Sequence, residues 1–264
     1  MAERSRKSAA SDSLVAAANF VKRRARAIRA TGTASSGSHT IETDCFIEWL
    51  KTRDKILRPD YFGQFQYIGS GAEHEVYHDF SNRRAIKLTL ASSPFGWSVD
   101  HEGARATLFE YLRRLVYQNW FFGDVIQLVG GVVGEDYFQV VSSQPWISED
   151  RTKPPATEAQ IEKYFRDIRF YRVRKESTGG FFYNQDLNVV AADAHSRNVL
   201  ISSEGEIVPI DVVMGKPSKA MQQQLKAELS PLSGSEVFVG SATPNVITTF
   251  SAGNPPASSN CPIQ

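Results

Sequence analysis

"GSGAEHEVYHDFSNRRAIKLT" spans residues 69–89. "EVYHDF" and "RRAIKLTL" are short strand patterns joined by a "SN" turn, so the stretch is a hairpin entered through Gly69 and Gly71. Two glycines in a turn are ordinary turn chemistry. A Gly-rich turn feeding a hydrophobic strand with Lys87 at its centre is less ordinary. Bare backbone there lets N–H groups approach phosphate oxygens, and an ammonium nearby neutralises them. The choice between surface hairpin and phosphate site turns on what lies downstream.

"YFGQFQYIG" precedes the hairpin as a further strand candidate. A helix follows over about 100–119, with Leu108, Leu112, Leu115 and Val116 on its apolar stripe. "VIQLVGGVVG" and "DYFQVVSSQPW" read as two more strands. The order is β-β-β-α-β-β, ending near Pro145. Thr157 and Gln160 form a capping-box pattern that opens a helix reaching about residue 174. "STGGFFYNQ" is turn and strand, "LNVVAADAHSRNVLISSEGEIVPIDVV" alternates strand and loop, and a last short helix covers about 218–228.

Five strands around one helix, followed by a second half, resemble the two-lobed protein-kinase-like fold. The residues carry the resemblance further. Gly69-x-Gly71-x-x-His74-x-Val76 keeps two glycines and the valine of the kinase loop, with His74 at the third glycine position, and "AIK" puts Lys87 where the nucleotide-pairing lysine stands. "DAHSRN" places Asp193 and Asn198 five residues apart, as in the kinase catalytic loop. "PID" then ends a strand on Asp211, in the position of the metal-binding Asp, although Val212 and Val213 replace Phe and Gly. Ala191 and Ala192 replace the usual His-Arg, while His195 matches the D-x-H-x-x-N form of the aminoglycoside and choline kinase relatives. "EHEVYHDFSNRRAIKLT", "EYLRRLVYQNWFFGD", "SSQPWI" and "DAHSRNVL" together look like the kinase-like domain of polyvalent proteins in phages and conjugative elements, over roughly residues 60–215.

That resemblance implies an α+β, two-lobed chain: a five-stranded antiparallel N-lobe sheet with one large helix, and a reduced, mainly helical C-lobe. It implies ATP and Mg²⁺ as cofactors and transfer of the γ-phosphate to a hydroxyl, with protein Ser, Thr or Tyr as the favoured acceptor. Asp193 would be the catalytic base, helped by Lys87 and by a carboxylate from the large helix. Glu110 lies 23 residues beyond Lys87 and is taken for that role, with Glu102 as runner-up on the same helical face. Gly69, Ser70, Gly71, Val76, Lys87 and Gln144 would contact nucleotide, and Asn198 and Asp211 the metal. Other acids of the loop, Glu73 and Glu75, read as solvated. Two alternatives stay open: a small-molecule phosphotransferase, and a nucleotide-binding pseudokinase scaffold.

Composition bounds the rest. With 41 % hydrophobic and 22 % charged residues the chain is of ordinary globular type. No apolar run approaches bilayer length, so no membrane partner is expected. Cys45 and Cys261 share no metal spacing and point to a reduced, cytoplasmic chain. Residues 1–30 hold eight basic residues against two acidic ones, which admits a weak nucleic-acid contact through this head or a solvated helix in a tail. The expected organisation is a basic helix and linker over 1–40, the N-lobe with a preceding helix (about 43–57) over 41–145, the C-lobe over 146–230, and a disordered tail over 231–264.

Overall fold

The computed structural model describes residues 2–31, 38–99, 104–148, 152–174 and 179–229. Glu102, Cys261 and the segment 231–264, expected as a disordered tail, lie outside the described residues. The described chain falls into two units: α1 to Trp120 with Asp124–Ser148, and Phe121–Gly123 with the described residues beyond 149.

The first unit opens with two helices, α1 (Ala2–Ala30) and α2 (Ser38–Lys51). Leu14, Ala17, Ala18, Val21 and Ala25 recur on one side of α1 and are fully buried. Most of that stripe joins Phe46, Trp49 and Leu50 of α2, and Phe138 and Val140 further on, in one hydrophobic cluster. Outside the stripe, Arg29 pairs with the nearly buried Glu42 at 3.1 Å, and the Lys22 ammonium lies 5.5 Å over the Phe109 ring. Over residues 14–25 the reading of this head as a solvated tail therefore falls: small and aliphatic residues at helical spacing bury one side of the helix in the core of the first unit. The boundary drawn at residue 40 falls inside that unit.

Strands β1 (Gln66–Ser70), β2 (His74–Asp79), β3 (Arg84–Thr89), β4 (Gln127–Val133) and β5 (Phe138–Pro145) make an antiparallel sheet in the order β1-β2-β3-β5-β4. The first strand is shorter than the sequence implied, because Pro59–Gln64 forms a 3₁₀ turn. Its aromatics pack on the outer face of the sheet, Phe62 lying 5.1 Å from Tyr77. The large helix α3 (Leu108–Phe122) starts eight residues later than expected. A second capping box explains the start: the Thr107 N–H donates to Glu110 Oε2 at 2.8 Å, and the Glu110 N–H donates to Thr107 Oγ1 at 3.2 Å.

In the second unit the Thr157–Gln160 capping box opens α4 (Glu158–Asp167) as expected. The helix stops at Ile168 rather than 174. Arg169 adopts φ +65°, Phe170 N–H bonds the Phe165 carbonyl at 2.8 Å, and Arg169 N–H bonds that of Arg166 at 2.9 Å. This is a Schellman end with arginine where glycine is usual, closed by contact between the Phe165 and Phe170 rings at 6.1 Å. Phe165 also stacks on Phe182 at 4.4 Å, and Phe121 meets Phe170 at 4.9 Å.

Six short strands follow: β6 (Tyr171–Val173), β7 (Phe181–Asn184), β8 (Val189–Ala192), β9 (Val199–Ile201), β10 (Ile207–Pro209) and β11 (Val213–Gly215). They form a four-stranded sheet β11-β8-β7-β6 and a separate β9–β10 hairpin. Helix α5 (Lys219–Leu229) closes the described chain. Among the described residues the expected mainly helical second half is thus corrected to two helices and two antiparallel sheets. The reason is local: "FFYN" and "VVAA" are wholly or almost wholly buried apolar runs too short for helices.

Candidate functional site

In the first unit, register does the assembling. Gly69 pairs with Val76, Val76 with Lys87, and Lys87 with Ser142, so these residues form one row across β1, β2, β3 and β5. Directly opposed residues and their i+2 neighbours share a sheet face. Val76, Lys87, Ala85 and Gln144 therefore lie on one face, with His74 and Thr89. His74 Nε2 lies 3.0 Å from the Tyr111 hydroxyl of α3, which identifies this as the face that α3 covers. Ser70 and Gly71 lie exposed at the turn, where Gly71 N–H donates to the His74 carbonyl at 2.8 Å.

Of the two carboxylates expected beside Lys87, Glu102 lies outside the described residues. Glu110 sits in the first turn of α3, and its carboxylate closes the Thr107 cap. Lys87 lies in the electrostatic field of Asp124, a carboxylate that the sequence did not single out. Burial of the Asp124 carboxyl, although the residue as a whole stays partly exposed, pushes its pKa up to about 8, and the Lys87 ammonium opposes that rise.

Glu73 was also misjudged. It is 8 % exposed and forms a 2.9 Å ion pair with the buried Arg114 of α3. Its neighbour Glu75 accepts the Tyr77 hydroxyl at 2.7 Å, so it too has a protein partner.

In the second unit the candidate residues gather at strand ends. Val213 of β11 pairs with Ala192 of β8, so Asp193, just past β8, and Asp211, just before β11, fall at the same end of that ladder. Ile210 N–H donates to the Asn198 carbonyl at 2.8 Å, which ties the Asp211 strand end to the Asn198 loop.

The Asp193 loop is held by its own hydrogen bonds. Asp193 has φ +59°, a left-handed conformation that Asp tolerates better than most residues. The Asn198 amide nitrogen donates to the Asp193 carbonyl and to its Oδ2, both at 2.8 Å. Both partners are acceptors, so the amide is oriented without ambiguity and its oxygen faces elsewhere. His195 Nδ1 accepts from Arg197 N–H at 3.2 Å. The ring hydrogen therefore belongs on Nε2, which lies 3.1 Å from Asp193 Oδ1. Each carboxylate oxygen of Asp193 thus has its own donor, and the side chain is half exposed.

Among the described residues no helix is long and apolar enough to cross a membrane. Comparison with curated proteins finds no match. The family described as the Serine/Threonine/Tyrosine kinase found in polyvalent proteins matches residues 40–215. That segment runs from α2 through β11 and holds both residue groups, so the chain belongs to the kinase family of polyvalent proteins.

Proposed function

We propose that this chain is an ATP- and Mg²⁺-dependent phosphotransferase that moves the γ-phosphate to a protein Ser, Thr or Tyr hydroxyl. The observation that carries the reading is the Asp193–His195–Asn198 loop, where two donors orient one exposed carboxylate. Phosphoryl transfer asks mainly for positioning and charge neutralisation. Asp193 would orient the acceptor hydroxyl and take its proton as the acceptor oxygen bonds to the γ-phosphorus and the bond to the ADP oxygen breaks.

The glycines fit a phosphate ligand. Neither Gly69 nor Gly71 has positive φ. A Cβ at Gly69 would meet nothing within 4 Å, and one at Gly71 only the His74 carbonyl at 3.9 Å. Neither backbone conformation nor packing demands glycine there, which leaves close approach by a ligand as its use. Lys87, on the same row as Gly69 and Val76, would supply the counter-charge.

The metal also fits. The Asn198 amide oxygen, turned away by the two bonds of its nitrogen, and the Asp211 carboxylate are the hard oxygen donors Mg²⁺ prefers. Bound there, Mg²⁺ would neutralise charge on the phosphate oxygens. A small-molecule hydroxyl is the second reading, favoured by the His195–Asp193 contact within the D-x-H-x-x-N pattern. Calorimetric titration with ATP tests the central reading: binding should require Mg²⁺ and be lost in Asp211→Asn. Binding that is absent, or indifferent to Mg²⁺ and to Asp211→Asn, would overturn it.

A further inference from the structure

We infer that Arg114 is a positioning residue that sets the glycine turn for nucleotide through Glu73. The inference rests on the nucleotide reading above. The face of α3 that meets the sheet shows Tyr111, Arg114 and Gln118, which are 1 %, 4 % and 4 % exposed, and none is acidic. This face sends a cation to the glycine turn.

Two chain segments, the glycine turn and residues 95–97, converge on that cation. Arg114 Nη1 holds Glu73 Oε2 at 2.9 Å, and Nη2 donates to the Phe95 carbonyl at 2.9 Å. Glu73 Oε1 accepts the Trp97 N–H at 3.1 Å. Gly96, with φ +65°, lies so close that a Cβ there would collide with the Glu73 carboxylate. The next residue of the turn, His74, reaches the same helix through Tyr111.

A buried pair with its partners satisfied is rigid, and loss of one member leaves an unpaired charge. The turn from Gly71 to His74 is therefore pinned to α3 beside the residues assigned to phosphate. Without the pin, the turn would sample other positions and ATP would bind only the fraction that is correctly placed. A competent fraction of about one tenth weakens binding about tenfold.

The test uses the full chain with Glu73→Gln and Arg114→Met combined. Both charges go together, so none is left buried alone, and the Gln oxygen can still accept from Trp97. Affinities for Mg-ATP and for adenosine are measured separately. ATP should bind about tenfold more weakly while adenosine, lacking phosphates, is unaffected. Unchanged ATP affinity, or equal weakening of both ligands, would overturn the inference. If the parent chain bound no ATP, the nucleotide reading itself would fall and this inference with it. Arg114→Lys, which keeps the ion pair, provides a second folded variant and should retain most of the ATP affinity; loss equal to the double variant would also overturn the inference.

Discussion

Asn198 spends both hydrogens of its side-chain amide on Asp193, one on the carbonyl and one on the carboxylate, each at 2.8 Å. The spacing of five residues thus closes a loop in which the acid is aimed by the residue assigned to the metal. Asp193→Asn keeps a side chain that tolerates positive φ, so the fold should survive. The Asp193→Asn variant should bind ATP as the parent does and transfer phosphate about 10²–10⁴-fold more slowly. Circular dichroism, ATP titration and a transfer assay on one preparation check all three expectations.

Lys87→Met should fold, since the methionine is similar in length and Lys87 lies in a paired strand position. A hydrogen bond to a charged group contributes about 1.5–3 kcal/mol, so ATP affinity should fall at least about tenfold. Equilibrium binding measures this directly, and an unchanged affinity would remove Lys87 from the phosphate site.

Asp124 makes stability depend on pH. Its pKa is raised from 3.8 to about 8, so the folded state holds a proton that the unfolded state releases from about pH 4 upward. This contribution is therefore fully present at low pH and is lost as pH rises through about 8. Asp124→Asn should flatten the decline in stability over that window. Denaturant midpoints at a series of pH values would show it.

Helix α1 should be required for the first unit to fold. Leu14 and Val21 are fully buried against the α2 and β5 cluster. Leu14→Ala should cost about 2–5 kcal/mol. Chemical denaturation of this variant reads the cost, and a loss within experimental error would return α1 to the role of an appendage.

Much of this was legible in the sequence because it is local or ordered along the chain. The strand alternation from Tyr67 to Thr89, the Thr157 cap, and the order of Gly69, Lys87, Asp193, Asn198 and Asp211 are of that kind. The misjudgements share a different cause. Glu73 looked solvated because its partner, Arg114, lies 41 residues away and no period connects them. The capping role of Glu110 was missed, and the T-x-x-E pattern with Thr107 was the overlooked signal. The end of α4 was hidden because Arg169, not glycine, takes the positive φ. The Leu14–Ala25 stripe is legible at helical spacing, but its burial is revealed only by α2 and the sheet.

The most direct test of the account is transfer from γ-labelled ATP with Mg²⁺, comparing the parent chain with Asp193→Asn. The account predicts label moving to a protein hydroxyl, of the chain itself or of an added protein, with the parent and not with the variant. Tight ATP binding by the parent with no transfer and no ATP turnover, matching Asp193→Asn in every respect, would contradict it.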